Sequence, residues 1–143
     1  MVRTRVDGHK FEDEFRRAFE DTYFLQRLHT PNTGYSGLTQ PADFLLFGRG
    51  ANYIELKETE KDFFSLSSME QLPEIKDFEK NKHKASLPFA YRVIVHFIKH
   101  KKYVIVSSET VLDLVEKHKT LRPDCPFATV FSSLKEMKEN YLL

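Results

Sequence analysis

Residues 41–59 read PADFLLFGRGANYIELKET: a hairpin of two hydrophobic strands around a Gly-Arg-Gly turn. Yet Asp43 lies in the first strand and Glu55 and Lys57 lie in the second, where an ordinary core would be apolar. Strand side chains alternate faces, so Glu55 and Lys57 share one face while Ile54 and Leu56 take the other. The position of Asp43 depends on the turn. An even loop around Arg49-Gly50 pairs Asp43 with Leu56 and points it away from Glu55. The three-residue loop Gly48-Arg49-Gly50 instead pairs Phe47 with Ala51, Leu45 with Tyr53 and Asp43 with Glu55, with or without a bulge near Asp43. Turn chemistry favours this second register, because Gly50 stands where a left-handed residue is usual.

Two carboxylates held together in a half-buried site repel, and one of them takes a raised pKa unless a cation sits between them. Mg²⁺ removes that cost. It prefers oxygen ligands and keeps several waters, one of which can serve as a nucleophile; Mn²⁺ is expected to substitute. A lysine beside that water can orient it, deprotonate it, or stabilise charge developing on a phosphate oxygen. The plainer alternative makes Asp43 a turn residue at the start of its strand. Glu55 and Lys57 are then an exposed pair that protects an edge strand from aggregation.

Outside this hairpin, the chain has 143 residues, which fits one domain spanning 1–143 with a single hydrophobic core. Hydrophobic residues make up 41%, thirteen of them Phe, which is more than a disordered chain carries. The 22 Lys and Arg nearly cancel the 21 Asp and Glu, so bulk charge neither announces nor excludes a nucleic-acid partner. One cysteine, Cys125, rules out an intrachain disulfide and a Cys-based zinc site. The first residues lack the apolar run of a signal peptide, and no segment is long enough to span a bilayer. The expectation is an intracellular, cytoplasmic protein without a membrane.

Phe11, Phe15, Ala18 and Phe19 recur at helical spacing and predict a helix over 8–21. A strand over 22–28 and a loop over 29–41 precede the hairpin. In the stretch 65–81, SLSSMEQLPEIKDFEKN, Ser67 with Glu70 and Ser68 with Gln71 both match capping-box spacing ahead of a helix, and Pro73 leaves its start ambiguous. The β-branched runs 91–97 and 102–106 predict a second hairpin. A helix capped by Ser107 or Ser108 follows, and then a C-terminal helix from Ser133. The fold class is therefore α/β, a mixed central sheet flanked by helices. His96 and His100 are expected to face solvent. Lys10, Arg16, the Arg3-Arg5 segment, Arg27 and the loop from Tyr35 to Thr39 are candidate DNA contacts.

Asp43, eleven intervening residues and then Glu55-Leu56-Lys57 resemble the signature of the PD-(D/E)XK nuclease superfamily, with Pro41 and Asp43 in place of its Pro-Asp. The helix GHKFEDEF and the Ser68-to-Gln71 stretch resemble elements of the RecU and Hjc Holliday junction resolvases. Together with the second hairpin, the resemblance runs over residues 8 to 107. It implies a restriction-endonuclease-like fold and an endonuclease of DNA recombination and repair. Under it Asp43, Glu55 and the Leu56 carbonyl hold the metal, Lys57 assists the attacking water, and Glu12 completes the acidic cluster through the metal's waters. Gln71 and Ser68 take the places of the Ser-x-x-Gln helix, Gln71 near the catalytic group and Ser68 near DNA. Glu12 lies about 100° from Phe11 on the helix, at the edge of its buried stripe. A branched substrate needing two nicks further implies a homodimer. RecU proteins are bacterial and phage proteins with a stalk inserted in the sheet; here only the turn from Gly48 to Ala51 stands at that place.

Overall fold

A computed structural model describes residues 8–28, 40–141 and 143. The Arg3-Arg5 segment and the Tyr35-to-Thr39 loop lie outside them. One six-stranded sheet forms the centre: β1 (Phe24–Arg27), β2 (Phe44–Phe47), β3 (Ala51–Thr59), β4 (Phe89–Phe97), β5 (Lys102–Ser107) and β6 (Thr129–Phe131), side by side in chain order. All neighbours are antiparallel except β3 and β4, which run parallel and are joined through α2 (Leu72–Asn81). The other helices are α1 (Gly8–Phe19), α3 (Ser108–Glu116) and α4 (Leu134–Asn140). This is a mixed α/β sheet flanked by helices, as expected. No helix among the described residues is long and apolar enough to cross a membrane.

Period-two alternation gives the sheet two apolar faces. One buries Phe44, Leu46, Ile54, Leu56, Ile94 and Ile105 against Phe11, Phe15 and Phe19 of α1 and Leu134 and Met137 of α4. The i, i+4 spacing of the three phenylalanines forms the stripe, and Phe15 stacks on Phe19 with centroids 4.3 Å apart. The other face buries Tyr91, Val93, Val95, Val104 and Val106 against Ile75 and Phe78 of α2 and Val111 and Leu114 of α3. Glu55 and Lys57 share the α2/α3 face by alternation. They lie on the face opposite α1, the helix that carries Glu12.

The β2–β3 register is the three-residue-loop register: Phe47 pairs with Ala51, Leu45 with Tyr53 and Phe44 with Ile54. The reason for the glycines differs from expectation. Neither Gly48 nor Gly50 is left-handed. A Cβ on Gly50 would lie 2.3 Å from the Pro88 carbonyl oxygen, and one on Gly48 would lie 2.2 Å from that of Leu143. Close backbone approach, rather than positive φ, demands glycine here.

The capping boxes also fail. Leu66–Ser68 form a 3₁₀ turn, the Ser68 hydroxyl donates to the Ser65 carbonyl, and α2 starts only at Leu72 with Pro73 in its first turn. Ser107 and Ser133 do cap α3 and α4, accepting the N–H of Thr110 and Glu136. Strand β6, three residues at the sheet edge, was not expected.

Candidate active site

The carboxylates meet at a notch in the sheet. β2 pairs with β3 only as far as Ile54, whereas β3 continues along β4 to Thr59. Asp43 fills the step. Its N–H donates to the Ile54 carbonyl (3.0 Å), the acceptor that regular pairing would assign to Phe44, so the ladder bulges here. Its Oδ2 accepts the Leu56 N–H (2.8 Å), and its own carbonyl accepts the N–H of Leu28 (2.7 Å). The plain account of Asp43 as a backbone-bonding residue is thus correct as far as it goes.

It does not extend to Glu55. That side chain is only 2% exposed, so it is no surface pair on an edge strand. Lys57 Nζ lies 3.1 Å from Oε2 and is 28% exposed, while Oε1 is buried with no hydrogen-bond partner. Burial, above all, and then the negative charge of Asp43 push the Glu55 pKa up to about 8. Lys57 opposes that rise through its charge and hydrogen bond, and Glu12 adds a smaller upward push. Glu12 Oε1 itself is 3.6 Å from Arg27 Nε.

The orphaned Oε1 and the neighbouring Asp43 carboxylate are oxygen donors of the kind a hard divalent cation takes. Among the described residues no group of three or more His, Cys, Asp or Glu side chains is placed to hold a metal. A cation at the notch therefore needs main-chain and water oxygens beside the two carboxylates. The Leu56 carbonyl belongs to the residue whose N–H Asp43 already holds.

The remaining candidates separate. Gln71 occupies the N-cap position of α2 without making a cap bond, and its Oε1 is buried without a partner, so capping does not explain it. Arg27 bonds Asp13 at 3.0 Å and lies over the Phe44 ring at 5.5 Å, which ties acidic α1 to the sheet. Arg16 is half-exposed and paired with Glu20 four residues on, and Lys10 is exposed. His96 does not face solvent: its ring stacks on Tyr103 at 4.1 Å and its Nδ1 is 2.8 Å from Glu58 Oε2. His100 is exposed and bonds Asp62.

Two residues of this region were not anticipated. Tyr91 is buried beside the notch and donates its hydroxyl to the Pro41 carbonyl. Its pKa is pushed up by burial first and then by the charges of Glu55, Asp43 and Glu74. Glu74, in the first turn of α2, has a buried Oε1 without a partner. Its only sequence signal was a position one turn after Gln71.

The raised Glu55 pKa has a consequence for stability. Its folded-state value lies above the unfolded one, near 4.5, so the contribution of the neutral acid is complete below pH 4.5 and is lost as pH rises through about 8. In EDTA, stability is expected to fall by a few kcal/mol between pH 5 and 8, at about 1.4 kcal/mol per pKa unit. Mg²⁺ should restore most of that loss at pH 8 and little at pH 5. Denaturant titrations at the two pH values check it; an equal Mg²⁺ effect at both would reject the assignment.

A scan against protein-family models found no match, and a search of curated proteins found none either.

Proposed function

We propose that the protein is a metal-dependent DNA endonuclease of the PD-(D/E)XK type, selective for branched structures in the manner of a Holliday junction resolvase and acting as a homodimer. The observation that carries this is the buried Glu55, with Lys57 on one carboxylate oxygen and no donor on the other. A structural ion pair would satisfy both oxygens. Asp43, Glu55 and the Leu56 carbonyl would hold Mg²⁺ or Mn²⁺. When bound, the ion polarises the phosphate and lowers the pKa of a coordinated water.

The chain's own groups do the rest. Lys57, aligned by its bond to Glu55, places a cationic donor where the attacking water or the phosphate oxygens gather charge. Gln71 offers an amide at the start of α2, and Glu12 keeps the notch negative from the α1 side. Asp43 fixes the position of the Leu56 peptide by accepting its N–H.

The three-residue turn Gly48–Gly50 favours a second reading of the same chemistry, a restriction-type or repair nuclease acting on duplex or flap DNA, because no stalk is present there to enter a junction. Cleavage of labelled junction, flap and duplex DNA with Mg²⁺, Mn²⁺ or EDTA tests both. Metal-dependent cutting of junctions over duplex is expected; binding without cleavage under any metal refutes the enzyme.

Affinity for DNA is expected to depend on salt despite a net charge of only +1. Three or more phosphate contacts weaken binding by at least about tenfold between about 50 and about 200 mM salt. A flat anisotropy titration across that range would count against a phosphate-contacting face.

A further inference from the structure

Beside the notch, on the α2 side of the sheet, opens a groove of about 530 Å³, a size usual for small-molecule sites. Its wall is aromatic. Tyr53 and Phe89 are half-buried, with centroids 5.1 Å apart, and Phe78 and Tyr91 close the base behind them. Pro41, two residues before Asp43, lines the same groove. Tyr91 lines the groove and donates its hydroxyl to the Pro41 carbonyl, so groove and notch adjoin.

The α2 wall carries two carboxylates and the Asn81 amide, which donates to Asp77 Oδ1 (3.1 Å) and leaves Glu74 as the unpaired acceptor. Glu74 and Asp77 line the groove, and Glu74 Oε1 is buried with no donor. The helix N-terminus explains a negative charge in the first turn of α2 but not an acceptor left unpaired there. Two carboxylates repel a phosphate, so the backbone of a nucleic acid belongs outside. Lys84 is exposed at the groove, whereas Lys82 is already held by Glu79 and Glu109. An aromatic wall, an unsatisfied acceptor and an external cation match a flat heterocycle with a donor edge and a phosphate behind it.

We propose that this groove receives an unpaired nucleobase with an exocyclic amino group, from the strand whose backbone reaches Glu55. The proposal rests on the nuclease reading and adds its substrate class: DNA with an unstacked nucleotide next to the cut. Carboxylates accept from amino edges, so cytosine fits and thymine, with a carbonyl at that position, does not.

The test is binding in EDTA, measured by anisotropy with labelled octamers of deoxycytidine and of thymidine. Their backbone charge is the same, so the difference isolates the base. The wild-type protein is expected to bind the deoxycytidine octamer about tenfold more tightly. Glu74→Leu should bind both alike, and its melting temperature should not fall, because a buried unpaired oxygen is removed. Glu74→Ala replaces it if the leucine variant melts early. Equal wild-type affinities, or a preference that survives both variants, overturn the proposal. So does displacement of the octamer by deoxycytidine monophosphate at the octamer's own affinity, which would make the groove a free-nucleotide site. Preference without cleavage would defeat the nuclease reading alone, and cleavage without preference would defeat the groove alone.

Discussion

Glu55→Gln and Asp43→Asn are each expected to slow Mg²⁺-dependent DNA cleavage by about 10³-fold or more, with DNA affinity changed only a few-fold. Both carboxylates lie in the notch, where their charge would be compensated by an ion and hardly reaches a phosphate contact elsewhere. The substitutions are chosen to leave the fold alone. An asparagine at 43 keeps an oxygen for the Leu56 N–H, which alanine would abandon. A glutamine at 55 removes the ionisable group whose burial drives its pKa to about 8, so this variant should melt no lower than wild type at pH 8 in EDTA. Single-turnover cleavage beside anisotropy on the same DNA separates the two quantities. A wild-type rate in either variant would remove the metal site from the mechanism.

Lys57→Ala should cost about 10² to 10⁴ in cleavage rate and much less in binding, because a group acting on the nucleophile or on developing charge matters chiefly in the transition state. The pH profile gives an independent reading. Lys57 is the cation that holds the Glu55 pKa down, so its loss should move the rising limb of the pH–rate curve to higher pH. Equal losses in rate and affinity with an unmoved limb would make Lys57 a phosphate anchor.

How much of this was legible in the sequence follows from the range of each interaction. The β2–β3 register follows from a three-residue loop, and Phe47–Ala51 and Leu45–Tyr53 pair as that length requires, although the left-handed Gly50 that argued for that length is absent. The reason for Gly50 was not legible, because its constraint is Pro88, a residue far along the chain. The serines at 67 and 68 carry a local cap signal, but a 3₁₀ turn takes them and Pro73 fits the first turn of a later helix. His96 looked solvent-facing beside a polar turn; Phe11 and Tyr103, from two other elements, cover it. Glu55 and Lys57 could be placed on one face by alternation. The identity of the helices above that face could not, since only the topology assigns α2 and α3 to one side and α1 to the other.

The parallel β3–β4 pair bears on how the chain reaches this structure. The β2–β3 hairpin closes over three residues and can form early, as can the β4–β5 hairpin. Joining β3 to β4 closes a far longer loop, from Glu60 to Pro88, and its entropy must be met before the contacts of the completed sheet repay it. In that same step Glu55 leaves water, because its strand neighbour Val93 and the helices packed over that face arrive with β4. The chain therefore dehydrates its most costly carboxyl group at its least local assembly event. The side chain at the centre of the proposed site is thus also one whose burial waits on the longest loop closure of the sheet.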